Sequence, residues 1–556
     1  MESVIREAIK EVSTELGLPE VDFVVEHPNE LEHGDYACNV AMVVAKAAGK
    51  APREIAEQFH AALEGKIEYV ERIEIAGPGF LNFSLSRDFF QNEIARANTL
   101  DEAWGKNDSF EGKTVIVEYT DPNPFKELHI GHLVPNALGE SLARLFMFSG
   151  ATTKRVTFQG DVGMHVAKAV WGLKQSGTAL SDIDAECLGK AYALGATEFE
   201  NDDAVKSEIQ TLNKKIYERS DEAVNTLYER GKEVSLEYFK KAYDILGSEF
   251  DHNFFESETG PVGLELVKAH IGDVFKESDG AVIFEGEKYG LHTRVFINKE
   301  GLPTYETKDV GLIQCKHDWL PFDLAITVTG TEQKEYFKVT TKASELIQPE
   351  LAGKVELVPN GMLRLAEGKM SSRTGDVIRA LDLIGEVEDA VQEKMEEGTD
   401  TQFSKDIAVG AIKFTILKSA AGKDIVFDKK QALSFEGDSG PYLQYTHARI
   451  VSVLEKAKAA GVQSSTAQSP LVPYEIERIL YRFPEVVEKA LEERAPHYVV
   501  TYLTELAGSF NTFYAHEKIA DSADEYAPYK VAVTEAVKTT LKNGLFVLGI
   551  KAPEKM

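Results

Sequence analysis

Two short stretches of this chain carry residue types suited to handling a nucleotide. The first is Asp121-Pro122-Asn123-Pro124-Phe125-Lys126-Glu127-Leu128-His129-Ile130-Gly131-His132. Two imidazoles three residues apart stand where a loop should turn into a helix, with Gly131 between them. The glycine leaves room for a base or phosphate to approach the main chain. A helix N-terminus favours anionic oxygens, and imidazole donors there can stabilise charge developing on a phosphate. The same residues could instead hold a metal or cap a helix end. The second stretch is Gly368-Lys369-Met370-Ser371-Ser372-Arg373. A mobile lysine beside small hydroxyl residues can close over a triphosphate as a point charge. Taken alone, it reads equally well as a basic surface loop.

Such groups need a strand to deliver them and a helix to hold them. TVIVEY (114–119) is a β-branched run of the kind expected for a buried parallel strand. A helix pattern follows from Gly131 to Phe148, so the pair predicts the opening βα unit of a nucleotide-binding α/β fold. FDLAITVTG (322–330) predicts another buried strand. Between them, residues of about 170–280 are charged and mainly helical, and read as an insertion between the halves of the sheet. Upstream, Ile5, Ile9, Val12 and Leu16 recur at helical spacing. A second helix pattern near Pro52–Leu63 and a strand-like Val70–Ser84, broken by Gly77-Pro78-Gly79, complete a small α+β module. KNDSFEGK (106–113) reads as a linker, and the pattern from about 385 onward is helical throughout. The expected division is 1–108, 109–385 and 386–556, in line with roughly 150 residues per domain for a chain of 556.

Composition excludes several classes. No apolar run is long enough to span a bilayer, and the start carries acids rather than a secretory apolar core, so no membrane partner is expected. Cys38, Cys187 and Cys315 lie far apart without a CxxC pair, which argues against structural zinc and against a disulfide framework. The compartment expected is reducing cytosol. The net charge of −30 counts mildly against nucleic acid, although one basic face on a large acidic protein is compatible with it.

In this order, the two motifs resemble the HIGH and KMSKS signatures of class I aminoacyl-tRNA synthetases. The resemblance narrows to arginyl-tRNA synthetases and runs along nearly the whole chain. EHGDYACNVAMVVAK is similar to that family's appended N-terminal tRNA-binding domain, GPYLQYTHARI (440–450) to the start of its helical anticodon-binding domain, and LGIKAPEKM to its usual ending. The fold implied is multidomain α/β. A Rossmann-like parallel-sheet catalytic domain with a helical insertion would lie between an N-terminal α+β domain and a C-terminal all-α domain. The activity implied is ATP-dependent conversion of L-arginine to arginyl-adenylate, then transfer to the terminal ribose of tRNA(Arg) with release of AMP and pyrophosphate. Mg2+ would accompany ATP, and the protein would be a cytoplasmic monomer.

The resemblance also implies residue roles. His129, His132, Lys126 and Lys369 would be catalytic. Pro122, Asn123, Pro124, Phe125, Glu127, Leu128, Ile130, Gly131, Met370, Ser371 and Ser372 would surround ATP, with Gly361 and Met362 touching adenine through main chain. One departure stands out: Ser372 occupies the second lysine position of KMSKS. Lys126, three residues before His129, sits where many arginyl-tRNA synthetases carry a compensating lysine. Arginine's guanidinium has five donors and calls for carboxylates and a phenol. Glu118, Tyr305 and Asp309 match positions assigned to it. Asn123, His132 and Gln333 match those at the substrate's polar end, and Asp161 and His165 fall in a substrate-side loop. For tRNA, Tyr442, Tyr445, Tyr514 and Met556 would meet anticodon bases, and Phe80 and Asn82 a base in the elbow. Periodicity alone would put the tyrosines and Phe80 in the core. Rival readings are weaker. A cysteine enzyme needs a zinc cluster, and a leucine enzyme carries an editing insertion that arginine does not require. A catalytically dead paralogue should have lost His129, His132 or Lys369. An unrelated nucleotidyltransferase sharing the HxGH motif would not need the C-terminal helical domain.

Overall fold

The computed structural model describes residues 1–366, 378–393 and 401–556. The Gly368–Arg373 loop, with Lys369, Met370, Ser371 and Ser372, lies outside them. Short apolar runs at the start of the chain form an antiparallel sheet from β1 (Val25–Glu26), β2 (Tyr36–Cys38), β3 (Val70–Ala76) and β4 (Phe80–Leu85), in the order β1-β2-β4-β3. Helices Glu2–Glu15, Val40–Ala48 and Pro52–Leu63 cover it, burying Ile5, Ile9, Val12, Phe59 and Phe83 in one core. The β3–β4 hairpin turns at Gly77 and Gly79. Gly79 combines a φ of +136° with a Cβ position 3.1 Å from Pro52 O, so it has no room for a side chain.

The chain then runs through β5 (Thr114–Glu118), β6 (Thr152–Gln159), β7 (His252–Phe255), β8 (Lys276–Ser278), β9 (Ala281–Phe284), β10 (Arg294–Ile297), β11 (Leu324–Gly330) and β12 (Val355–Asn360). Five of these make a parallel sheet in the order β12-β11-β5-β6-β7. β8, β9 and β10 make a small antiparallel sheet beside it. The strand order reverses direction between β5 and β11, where Glu118 pairs with Thr327. In open α/β sheets such a switch point leaves a crevice at the strand C-termini, where ligands bind. Helix Leu133–Phe148, almost wholly buried, packs behind β5 and carries much of the central core.

The insertion is shorter than its charged composition suggests. Helices Ala185–Asn201, Asp203–Glu218 and Glu222–Leu246 fulfil the helical expectation, but the sheet resumes at β7, inside the 170–280 range. HNFF is too short for periodicity to reveal it as a strand; only pairing with β6 makes it one. The C-terminal region is likewise not helical throughout. β14 (Ile425–Phe427) returns to pair in parallel with β13 (Leu363–Leu365). Beyond it, helices Gly440–Ala459, Phe483–Glu492, His497–His516 and Ala527–Val547 form a bundle continuous with the central core. The N-terminal domain docks on this bundle through two acids. Glu485 receives Tyr36 Oη (2.7 Å) and His27 Nε2 (3.0 Å), and Glu477 receives Arg87 Nη1 (2.6 Å).

Candidate active site

The loop after β5 is strained and pinned. Thr120, Asp121 and Phe125 have φ of 78°, 44° and 67°, a region that costs non-glycine residues on the order of 1–3 kcal/mol each. Each is tied down. Asn136 Nδ2 donates to Thr120 Oγ1 (3.1 Å), Phe158 N donates to Asp121 Oδ1 (2.8 Å), and Phe125 N donates to Ser235 Oγ (2.8 Å). Strain maintained by this many anchors implies a conformation the protein keeps for use. The side chains of Phe125 and Leu128 are fully buried, Phe125 against Gly231 and Tyr228, so they shape the loop from within. Pro122 and Pro124 are buried too. Glu127 pairs with Arg379 (3.2 Å), and Ile130 N donates to Ile378 O (3.0 Å), which ties the loop to the segment after the undescribed stretch.

The two histidine rings lie against each other, tilted by 39° with centroids 3.8 Å apart. His129 Nδ1 accepts from Gly131 N, and His132 Nδ1 accepts from His129 N, each at 3.1 Å. With Nδ1 accepting, neutral His129 carries its proton on Nε2, whereas His132 Nδ1 also lies 3.3 Å from His129 O, to which it can donate. Burial, reinforced by Lys126, lowers the His129 pKa, and burial plus His129 pulls His132 down to about 3. Both are therefore neutral donors at physiological pH, suited to phosphate oxygens without competing for a proton. Gly131 is required, because a Cβ there would lie 2.8 Å from the His129 ring. Lys126 sits close enough to depress His129, His132 and His165 alike, its ammonium 4.6 Å from the Tyr192 ring centroid.

At the switch point lies a cleft of about 470 Å³. Glu118, Tyr305, Asp309 and Gln333, distant in sequence, all line it. Glu118 ends β5, Tyr305 and Asp309 share a face of helix Tyr305–Trp319, and Gln333 begins the next helix. Asp309 is pushed up to about 7 by desolvation, partly offset by a hydrogen bond from Tyr336. Glu118 is paired with the buried Lys316. Tyr305 is 69% exposed, at the rim. Asn123 is not among the residues lining this cleft; it packs on Gly160, where a Cβ would come 2.4 Å from Asn123 Oδ1. Beside it Glu256 holds Lys308 (2.5 Å), whose ammonium lies 5.2 Å from the Tyr305 ring centroid. The motifs did not single out Tyr336, Lys316 or Arg294, which also line the cleft. For Lys316 a signal existed, because it lies two helical turns beyond Asp309 on the same face.

Asp161 is fully buried and spent on the fold, receiving Tyr228 Oη (2.8 Å), Lys232 Nζ (2.8 Å), and Ser257 N and Oγ (2.9 and 2.7 Å). His165 is held on Gly160 O (2.7 Å). Met362 donates its N–H to Asp424 Oδ1 (3.0 Å) and its carbonyl receives Ile425 N (2.8 Å), which fixes its main chain against the β14 segment. Gly361 packs against Lys423 O, 2.0 Å from where a Cβ would be. Tyr442 turns inward, its hydroxyl accepting from Asn511 Nδ2 (2.9 Å). Tyr445, Tyr514 and Met556 instead share a second cleft of about 670 Å³. Arg449, not expected from sequence, stacks there between Tyr445 (4.7 Å) and Tyr514 (5.8 Å). It lies one turn after Tyr445. In the N-terminal domain Phe80 is half-buried at the head of β4 and Asn82 is buried.

A parallel sheet with a histidine pair on the loop after its first strand, and an acidic cleft at its switch point, defines a class I aminoacyl-tRNA synthetase. Comparison with known proteins agrees. The family model "tRNA synthetases class I (R), catalytic domain" matches residues 96–429, "Arginyl tRNA synthetase N terminal domain" matches 1–85, and "DALR anticodon binding domain" matches 443–556. The chain is 33% identical over 574 residues to the arginine–tRNA ligase of Clostridium perfringens, covering 100% of this chain and 99% of that protein. It is 30% identical over 587 residues to that of Borrelia hermsii, with 100% and 99% covered. The solved structure of Thermus thermophilus arginyl-tRNA synthetase superposes with a TM-score of 0.81 at 26% identity, covering all of both chains. The chain belongs to the arginyl-tRNA synthetase family.

Proposed function

We propose that this chain is an arginine–tRNA ligase whose arginine site is the switch-point cleft and whose nucleotide site is the His129–His132 loop. One observation carries the reading. Buried carboxylates from β5 and from helix Tyr305–Trp319 converge on one cleft, and Asp309 makes no ion pair among the described residues. A cleft lined by Glu118, Asp121, Glu306, Asp309 and Glu332 against only Arg294 and Lys316 suits a guanidinium, which offers planar paired donors to carboxylates. Glu118 and Asp309 take the side chain and Tyr305 closes over it. Asn123 and Gln333 hold the α-amino and carboxylate end, beside His132.

The arginine carboxylate oxygen then attacks the α-phosphorus of ATP, and the bond to the bridging oxygen breaks to release pyrophosphate. Ring N–H groups of His129 and His132 stabilise the phosphate oxygens, and Lys126, with Lys369 from the loop outside the described residues, supplies positive charge for the leaving group. Magnesium enters with ATP as part of the substrate. Among the described residues no group of three or more His, Cys, Asp or Glu is arranged to hold a metal ion. The terminal ribose hydroxyl of tRNA attacks the adenylate carbonyl and AMP leaves. Residues 1–108 and 386–556 hold tRNA beside the catalytic domain 109–385, with Phe80 and Asn82 at the elbow and Tyr445, Tyr514, Met556 and Arg449 at the anticodon. Every part lies in one chain, so the working unit is a monomer; the compartment is the cytosol.

The deciding experiment is ATP–pyrophosphate exchange with each amino acid, with and without tRNA. Exchange driven by arginine supports the reading. No exchange with arginine under either condition, alongside exchange with another amino acid, ends it.

A further inference from the structure

Each of the two carboxylates read as guanidinium ligands is gripped by a cleft residue with no assigned role. Tyr336, on helix Lys334–Ile347, lines the cleft together with Asp309, and its hydroxyl favours the ionised carboxylate. Arg294 of β10 lies 5.2 Å from the centroid of the Tyr336 ring and pairs with Glu306 (3.2 Å), which orients the phenol. Lys316 is 2% exposed and ion-paired with Glu118 Oε2.

We propose that Tyr336 and Lys316 are positioning residues that set specificity for arginine. Tyr336 aims Asp309 and Lys316 holds Glu118, so the free edges of the two carboxylates form one receptor for a planar cation. The inference rests on the reading that Glu118 and Asp309 take the guanidinium.

An ionised carboxylate has about four acceptor sites. The phenol uses one on Asp309 and the ammonium uses one oxygen of Glu118. What remains suits donors spread over a plane, as in a guanidinium. A lysine or ornithine ammonium is a compact, strongly hydrated charge. To reach Glu118 it must approach the ammonium already there, at a cost that rises as water is excluded. Lys316 thus selects against shorter amines while it supports Glu118.

The groups acting on Asp309 are Glu118 from β5, Glu256 from helix Glu256–Ala269, Tyr336 from helix Lys334–Ile347, and Lys316 from its own helix. Desolvation and the two acids favour the protonated carboxyl, which sits near pH 7; the Tyr336 hydroxyl and Lys316 oppose them. Arginine binds the ionised form, so its apparent affinity falls as pH drops below neutrality. Removal of the Tyr336 donor raises the Asp309 pKa, and the fall then begins at higher pH.

Arginine-dependent pyrophosphate exchange in the presence of tRNA tests this with Tyr336→Phe, Lys316→Met, Lys316→Arg and Asp309→Asn across neutral pH. Tyr336→Phe should raise the arginine KM about tenfold, the scale of a hydrogen bond to a charged group. It should move kcat less and shift the acid limb of kcat/KM to higher pH. Lys316→Met should raise the arginine KM and narrow discrimination against lysine and ornithine, and Lys316→Arg should restore both. If Lys316→Met does not fold, judged by thermal unfolding, the isosteric Tyr336→Phe decides. An unchanged KM and pH profile in Tyr336→Phe, with arginine binding lost in Asp309→Asn, overturns this inference alone. An unchanged KM in Asp309→Asn overturns the pocket reading beneath it.

Discussion

The switch-point cleft and the aromatic cleft near Met556 solve opposite recognition problems. The first brings Glu118, Asp309 and Lys316 together out of water and fixes their geometry through Tyr336 and Arg294. The second leaves Tyr445, Tyr514 and Met556 more than a third exposed and layers the Arg449 guanidinium between two rings. Buried charge gives directional, all-or-none selection of one small cation, because a mismatched ligand leaves a desolvated carboxylate unpaired. Exposed rings and a flat cation give tolerant stacking on bases, with affinity gathered over many weak contacts. Arg449 also shows how a chain of net charge −30 can still meet nucleic acid through a local feature.

That contrast can be broken in graded ways. The largest effect is expected from Asp309→Ala. Loss of one partner of a buried pair costs about 3–5 kcal/mol, or two to four orders of magnitude in arginine kcat/KM at about 1.4 kcal/mol per factor of ten. An unchanged arginine KM would remove the buried-charge side of the comparison. Lys126→Ala should slow adenylate formation by roughly two orders of magnitude or more, because it removes a cation beside the developing phosphate charge. Single-turnover exchange at wild-type rate would show that Lys126 is an ordinary loop lysine.

Tyr445→Ala should raise the tRNA KM by about tenfold to a hundredfold, the scale of one ring stacked on one base, with the arginine KM untouched. A shift in both constants would mean that the two clefts are not independent. The smallest and most general test is salt. Between about 50 and about 200 mM, the tRNA KM should rise about tenfold or more through lost phosphate contacts. The arginine KM should change less than about twofold, because buried charges are poorly screened. Parallel responses would falsify the division.

Legibility from sequence followed locality. The histidine loop could be read because its function is written in consecutive residues: a strand, a glycine that must stay bare beside His129, and a helix start. Asp309 and Tyr305 were readable as one helical segment. The burial of Phe125 and Leu128 was not legible, because a motif marks which residues recur together, not which way they face. Gly231 and Ser235, far along the chain, take Phe125 into the insertion core. The tie of Met362 to Asp424 and Ile425 across the β13–β14 pairing was hidden for the same reason. Tyr442 and Tyr445 looked alike in the sequence, and only the fold separates an inward ring from an outward one.

By itself, then, the sequence determined the order of the domains, the histidine loop with Lys126 and the class of chemistry, and its resemblance to the family pointed to the acidic and phenolic residues proposed for the arginine site. The loop and its flanking strand and helix rest on local patterns that hold wherever the segment lies. Tertiary structure alone decided that β7 and β14 join sheets, that Asp161 is spent within the fold, and that Tyr336, Lys316 and Arg449 face the clefts. Those outcomes depend on which distant segment supplies the hydrogen bond, the counter-charge or the desolvation. That choice is made when the parallel sheet and the bundle close, through contacts between residues hundreds of positions apart.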